Sequence, residues 1–126
     1  MDVTYLQHAS FVPMHPSHTG CERGVAFVSD AIRFSVFNVP PGASIAQHSH
    51  TVIWDLFLGM AGRGTITISD SNESMSYEIV PGAFCAMPPG KVHTVTNDSD
   101  ELFTFVLAQA PFDQYDHVLT AEGGAR

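Results

Sequence analysis

Turn-forming residues recur at short intervals through most of this chain, and their spacing limits what it can fold into. Clusters of Pro, Gly, Ser, Asn and Asp mark turns, so the elements between them must be short. No segment keeps a 3.6-residue apolar period for three turns, which argues against long helices. The clusters are Pro40-Pro41-Gly42, Gly62-Arg63-Gly64, Ser69-Asp70-Ser71-Asn72, Pro81-Gly82, Pro88-Pro89-Gly90 and Asn97-Asp98-Ser99-Asp100.

Short runs rich in β-branched and aromatic residues fill the intervals between these turns. Such runs are typical of β-strands. The sequence therefore predicts an all-β fold, either a barrel or a sandwich, and a double-sheet jelly roll satisfies both descriptions. The predicted strands are residues 31–39, 54–59, 64–69, 74–80, 83–87, 93–96 and 102–109.

The composition is that of a packed globular protein of one domain. The chain has 126 residues, of which 44% are hydrophobic and 14% charged. This is too apolar for a disordered protein and the length suits a single core. We expect one domain over residues 1–126, with residues 1–30 packing on the barrel or on a partner subunit and residues 121–126 forming a flexible tail.

A formal net charge of −8 makes nucleic acid and anionic membrane surfaces poor candidate partners. No apolar run approaches the length of a membrane-spanning helix, and the first residues do not resemble a secretion signal, so we expect a cytoplasmic protein.

Cys21 and Cys85 are far apart in sequence and belong to no CxxC pair. Two reduced thiols are therefore predicted.

Three histidines suggest a metal site. His48 and His50 stand two residues apart, and in an extended strand such residues point to the same face. His93 follows another turn at the start of a predicted strand. Three neutral imidazoles on facing strands can bind one side of a metal ion and leave the other side open. The alternative is that each is a hydrogen-bonded interior residue or an exposed one.

The spacing of these histidines among glycines resembles the two sequence motifs of the cupin superfamily. The first motif is Gly, five residues, His-x-His, three or four residues, Glu, six residues and Gly. The second is Gly, five residues, Pro-x-Gly, two residues, His, three residues and Asn. The matching residues are Gly42, His48, His50, Asp55 and Gly62 for the first motif, with Asp in place of Glu, and Gly82, Pro88, Gly90, His93 and Asn97 for the second.

This resemblance covers residues 42–97 and implies the double-stranded β-helix barrel of the cupins. It also implies that His48, His50 and His93 are metal ligands and that Asp55 stands at the carboxylate position. Asp55 is therefore our candidate catalytic residue. Aspartate reaches about 1.5 Å less far than glutamate, so Asp55 either binds the metal directly or sits behind a ligand histidine and orients it. The implied cofactor is one divalent metal ion per chain, with Fe(II) favoured over Zn, Ni or Mn.

Bulky apolar residues near the motifs are candidates for the wall of a substrate pocket beside the metal. Trp54 has a second interpretation, on the outer face at a subunit contact. Arg33 and Lys91 are the bases placed where they could meet a substrate anion, and we include Arg33 in the predicted pocket. The predicted pocket residues are Trp54, Phe57, Phe84, Phe103, Phe105 and Arg33.

The expected function is that of a metal-dependent enzyme acting on a small molecule. The resemblance implies an oxygenase, lyase, isomerase, cyclase or decarboxylase, and a non-haem iron dioxygenase acting on an oxygen-bearing metabolite is our first choice. A redox-silent lyase, isomerase or cyclase is the second, and a non-catalytic ligand-binding cupin the third. Cupins commonly pair through outer strands, so we also expect a homodimer.

Overall fold

The computed structural model describes residues 2–18, 20–70, 73–113, 115–116 and 118–119. The predicted tail, residues 121–126, lies outside the described residues, as does His117. No helix in the described part of the chain is long and apolar enough to cross a membrane. Cys21 and Cys85 are free thiols, as predicted.

Eleven β-strands and one short 3₁₀ turn, Ala9–Phe11, make up the regular structure of these residues. The strands form two sheets, a six-stranded sheet in the order β1-β2-β3-β10-β5-β8 and a five-stranded sheet in the order β11-β4-β9-β6-β7. The strands are β1 His15–Ser17, β2 Cys21–Val28, β3 Arg33–Val39, β4 Ser44–Ser49, β5 Trp54–Ala61, β6 Gly64–Asp70, β7 Glu73–Ile79, β8 Phe84–Met87, β9 Val92–Thr96, β10 Phe103–Ala110 and β11 Val118–Leu119.

The predicted all-β jelly roll is confirmed, and each of the seven predicted strands is present with ends moved by two residues or fewer. The sequence did not predict β1, β2, β4 or β11 as strands. Two of these, β2 and β4, contain a shift of register against their neighbours. Such a β-bulge interrupts the alternation of apolar and polar residues by which strands are recognised.

The core lies between the two sheets. Alternate residues of β3, β5, β9 and β10 point inward, because successive side chains of a strand face opposite sides. Phe105 is fully buried and stacks on Phe37, with ring centroids 5.1 Å apart. Phe57 and Phe103 pack against Phe105 at 5.4 Å and 5.2 Å. These rings form the centre of the main apolar cluster.

The N-terminal segment covers the outer face of the six-stranded sheet. Val12 is 5% exposed and packs with Val36 of β3 and Val106 of β10, both of which point away from the main core. Ala9 and Met14 pack against the same small cluster. This part of the segment therefore lies on the chain's own barrel, while its predicted contact with a partner subunit remains a prediction.

The turns of the two motifs hold the strands that carry the histidines. The backbone φ angles of Gly42, Gly62, Gly82 and Gly90 are all positive, between 65° and 87°. At Gly62 a side chain would also place a Cβ 2.1 Å from the carbonyl oxygen of Leu102, so only glycine fits there. The buried Asn97 side chain donates to the carbonyls of Val39 and Glu101 at 2.8 Å and 2.7 Å. It therefore holds the end of β9 in place.

Candidate metal centre

Four buried side chains meet at one end of the space between the sheets. His48 lies on β4 and His50 just after it, His93 on β9 and Asp55 on β5. Their exposed fractions are 7%, 4%, 1% and 1% in that order. The candidate ligand atoms of the four residues all lie within 4.8 Å of one another.

A bulge in β4 brings His48 to the inner face. Ser44 and Ile45 pair with Thr96 and Val95 of β9, but the next pair is His48 with His93. Between these pairs, Ala46 and Gln47 of β4 face the single residue Thr94 of β9, so β4 has one extra residue. Without it, Ile45 and His48 would face opposite sides, since their spacing is odd. With it, both are buried, and the rings of His48 and His93 lie 4.3 Å apart between centroids.

The backbone sets the orientation of all three imidazoles. His48 Nδ1 lies 2.7 Å from the carbonyl oxygen of Ala46, and His93 Nδ1 lies 2.9 Å from that of Lys91. His50 Nδ1 contacts the carbonyl oxygen of Asp116. A carbonyl accepts only, so each Nδ1 must carry the proton and donate it. In the neutral ring this leaves the Nε2 lone pair available, which is the arrangement found in ligand histidines.

Asp55 sits at ligand distance from two of the histidines. Its Oδ2 is 3.1 Å from His50 Nε2 and 3.3 Å from His93 Nε2. Adjacent ligands of a metal with bonds of about 2.1 Å are separated by about 3.0 Å in octahedral and 3.4 Å in tetrahedral geometry. The shorter aspartate therefore reaches the ligand cluster. The four side chains together can hold a single divalent metal ion.

Charge and hydrogen bonding in the cluster keep the carboxyl ionised. Burial alone would raise the pKa of Asp55. In the metal-free cluster, hydrogen bonds with the His50 and His93 rings, made when a ring carries a second proton on Nε2, and with Gln109 hold that pKa well below its usual range. A divalent ion would take the place of those ring protons. Burial would likewise lower the pKa of His50, and the adjacent Asp55 carboxylate outweighs it and raises that pKa. A carboxylate that stays ionised is what a cation requires.

A row of side chains across three strands fixes the other oxygen of Asp55. Arg33 of β3 pairs with Gln109 of β10, and Gln109 pairs with Asp55 of β5. Gln109 Nε2 donates to Asp55 Oδ1 at 3.0 Å. The guanidinium of Arg33 donates to Gln109 Oε1 through Nε at 3.0 Å and Nη2 at 2.6 Å. These bonds fix the Gln109 amide and leave Oδ2 turned toward the histidines.

A cavity of about 230 Å³ opens beside the cluster, with His48, His50 and Asp55 in its wall. Of the predicted pocket residues, Phe57, Phe105 and Arg33 line it. Trp54, Phe84 and Phe103 do not, which corrects that part of the prediction. Trp54 and Phe84 are 45% and 62% exposed on the outer face, and Phe103 is buried deeper in the apolar core.

Sequence reasoning missed several residues that line the cavity. Arg23, His18, Gln109 and Tyr115 all belong to its wall. Arg23 pairs directly opposite Phe37, so it shares the inner face with a core residue. Gln109 is four residues from Phe105 on β10 and therefore has the same inward parity, which is a signal the sequence does carry.

Comparison with known proteins decides the family. A profile of the cupin domain matches residues 35–108, more than half of the chain. The chain belongs to the cupin family. A comparison with curated protein sequences gave no significant match.

Solved structures show the same cupin fold. An uncharacterized conserved protein with a double-stranded beta-helix domain from Klebsiella pneumoniae has a TM-score of 0.75 and 22% identity, covering 94% of this chain and 100% of its own. Oxalate decarboxylase from Bacillus subtilis has a TM-score of 0.70 and 23% identity, covering 80% of this chain and 28% of its own. Peruvianin-I, a cysteine peptidase from Thevetia peruviana latex, has a TM-score of 0.74 and 13% identity, covering 93% and 77%.

These neighbours differ in activity, so the shared fold does not assign one. What the cupin family and the geometry establish together is a β-barrel whose His₃Asp cluster can hold one divalent metal ion.

Proposed function

We propose that this cupin is a metal-dependent enzyme that acts on a small oxygen-bearing metabolite, with Fe(II)-dependent dioxygenation as its reaction. The metal ligands in this proposal are His48, His50, His93 and Asp55. The substrate enters through the cavity that opens beside them.

The observation that carries this proposal is the common orientation of the three imidazoles. All three Nδ1 atoms contact backbone carbonyls, so Nε2 is the nitrogen that each ring can offer to a metal. Three neutral nitrogens with one carboxylate suit Fe(II), Mn(II) and related metals rather than Mg²⁺ or Ca²⁺, which prefer oxygen ligands. The cluster lies in the wall of a cavity, so a substrate can reach it.

Bound Fe(II) would supply redox activity toward oxygen and polarise an oxygen atom of the substrate. The residues of the chain position the reactants and exclude water. Gln109 holds Asp55 Oδ1, so that Oδ2 keeps its place among the histidines. Phe57, Phe105 and Leu107 line the cavity with apolar surface, which limits the water that reaches the site.

Elemental analysis of protein purified without chelators is the first test, followed by oxygen uptake after anaerobic loading with ferrous iron. The substrate panel consists of small oxygenated acids, phenols and thiols. We expect near-stoichiometric metal and substrate-dependent oxygen uptake. Stoichiometric metal without oxygen uptake by any member of the panel would contradict the dioxygenase, and absence of divalent metal after loading would contradict the whole proposal.

A redox-silent lyase, isomerase or cyclase is the second candidate. Solved structures of Bacillus subtilis oxalate decarboxylase, which shares the fold, describe Mn(II) centres. Imidazole and carboxylate ligands such as those found here also suit manganese. Turnover of the panel in the absence of oxygen, with Mn(II) replacing Fe(II), would favour this candidate over the dioxygenase.

A further inference from the structure

Two of the five basic residues in this acidic chain line the same cavity as the metal cluster. Arg23 comes from β2 and Arg33 from β3, which are neighbouring strands of the six-stranded sheet. Both side chains are half-buried. The cavity thus has the His₃Asp cluster in one part of its wall and two guanidiniums in another.

No carboxylate of the described residues forms an ion pair with either guanidinium, that of Arg23 or that of Arg33. Asp55 is the acidic residue in the cavity wall, and its two oxygens are engaged by Gln109 and by the histidines. A half-buried cation normally has a partner, because removing it from water is costly. The two arginines are therefore placed for an anion that the described part of the chain does not supply.

The guanidinium of Arg33 is held in a fixed orientation. It donates twice to Gln109, and it lies 4.6 Å from the ring centroid of Phe112 and 4.9 Å from that of Tyr115. Contact with aromatic rings and a paired hydrogen bond restrict this long side chain. Burial lowers the pKa of Arg33, and the positive charge of Arg23 lowers it further, while Tyr115 and the Asp55 carboxylate act in the opposite direction without outweighing them. The two cations therefore repel each other, and an anion between them would relieve the repulsion.

We propose that Arg23 and Arg33 form the subsite that binds a carboxylate group of the substrate while another oxygen of the same molecule faces the metal cluster. The inference rests on the proposed metal-dependent function and narrows its substrate class to short-chain carboxylic acids with a second oxygen function. A guanidinium pairs with a planar carboxylate through two parallel hydrogen bonds. With a divalent metal bound, the cavity wall would carry the metal ion and two guanidiniums but one carboxylate, that of Asp55. This net positive charge favours an anionic substrate.

The size of the cavity favours a short acid. The cavity has a volume of about 230 Å³, which suits a small organic acid. Phe37, Ile45 and Leu107 supply apolar wall for a short carbon chain. Succinate, with eight non-hydrogen atoms and a carboxylate at each end, is therefore a suitable probe, and its diamide, succinamide, is the neutral analogue of nearly the same shape.

Calorimetric titration with succinate tests the subsite in both metal-free and Zn²⁺-loaded protein. We expect Arg23→Gln to weaken succinate binding about 10- to 100-fold in the loaded protein, the usual effect of losing charged hydrogen bonds. Arg33→Lys keeps the charge but loses the planar fork, so we expect a smaller loss. Zinc stoichiometry should be that of the wild type in Arg23→Gln, because Arg23 is neither a metal ligand nor part of the Arg33–Gln109–Asp55 row.

Arg63→Gln is the matched control. It removes the same charge from a residue that is 62% exposed and paired with Glu78 at 3.8 Å, outside the cavity wall. Succinate affinity should not change in this variant. A loss of succinate affinity equal to that of Arg23→Gln would mean that the overall charge of the protein, and not a subsite, determines binding. That outcome would overturn the inference.

The remaining outcomes separate this inference from the proposed function. Succinamide binding as tightly as succinate, inorganic phosphate binding more tightly than succinate, or unchanged succinate affinity in Arg23→Gln would each overturn the carboxylate subsite while leaving a metal enzyme in place. If the wild type bound no divalent metal, the proposed function would fail. In that case, succinate binding to the metal-free wild type that is lost in Arg23→Gln would support the subsite. If the metal-free wild type bound no succinate, the subsite would be overturned.

Discussion

The space between the two sheets has a polar end and an apolar end, and the same strands build both. On β5, Asp55 belongs to the metal cluster, and Phe57, two residues further on, belongs to the apolar core. On β9, His93 likewise belongs to the metal cluster and Val95 to the apolar core. A step of two residues keeps a side chain on the inner face of a strand. The two ends therefore differ in residue type and not in architecture.

This difference separates stability from function. The apolar end removes large rings from water, which is the main source of folding free energy. The polar end buries a carboxylate and three imidazoles, which contributes little to stability and requires the hydrogen bonds that Gln109 and the backbone carbonyls provide. Substitutions at the two ends should therefore change different measured quantities.

Phe103→Ala is expected to give the largest effect, on stability alone. Phe103 is 1% exposed and packs against Phe105 and the backbone of Gly64. Truncation of such a ring costs about 3–5 kcal/mol of unfolding free energy. Chemical denaturation of the metal-free protein measures this loss, and elemental analysis of the folded variant should show unchanged metal stoichiometry.

Leu102→Ala provides the control for Phe103→Ala. Leu102 is the preceding residue and is 47% exposed, so its truncation should cost about 1 kcal/mol or less. Equal losses at the two positions, or loss of metal from folded Phe103→Ala, would break the distinction between the two ends.

His93→Ala should produce the opposite pattern. Loss of a ligand is expected to weaken metal binding by more than about 100-fold, since even residues that only orient ligands contribute 10- to 100-fold. In the metal-free protein the unfolding free energy should fall by less than half of the loss caused by Phe103→Ala. Competition with a chromophoric chelator measures the affinity, and excess metal should raise the unfolding temperature of the wild type but not of the variant.

His15→Ala is the matched control for His93→Ala. His15 is an exposed residue on β1 and is not in the cluster, so both affinity and stability should match the wild type. Stoichiometric, tightly bound metal in His93→Ala would disprove the ligand assignment.

Gln109→Leu should have an intermediate effect on the polar end. The variant leaves Asp55 Oδ1 without its hydrogen bond from Gln109 Nε2 and frees the carboxylate to turn away from the histidines. We expect metal affinity to fall about 10- to 100-fold, as for other residues that orient ligands. The same chelator competition tests this, with Gln7→Leu at an exposed position as control. Unchanged affinity would mean that Gln109 does not position Asp55.

The predicted parts of the fold and site are those that local sequence determines. Turn-forming residues delimit the seven predicted strands. The spacing of the two motifs predicts the cluster, which consists of His48, His50, His93 and Asp55. The strand β4 was missed because its bulge breaks the alternation of side chains.

The unpredicted parts depend on how distant strands pair. Arg33 and Gln109 are 76 residues apart in sequence, and only the register of β3 against β10 brings them together. Arg23 was missed for the same reason, since its position opposite Phe37 follows from the pairing of β2 with β3. The choice between the two interpretations of Trp54 could have been made from the sequence, because a neighbour of the inward Asp55 must point outward. The predicted homodimer and cytoplasmic location remain predictions.

Trp54→Ser should give the smallest effect and tests whether the inner and outer faces of one strand are independent. Trp54 is adjacent to Asp55 in sequence but is 45% exposed on the opposite face of β5, outside the cavity wall. We expect unchanged metal affinity and a change in unfolding free energy of about 1 kcal/mol or less, as for other exposed positions. A drop in metal affinity as large as that of Gln109→Leu would show that packing on the outer face of β5 positions Asp55. The polar end would then depend on the whole strand, and the comparison between its inner and outer faces would fail.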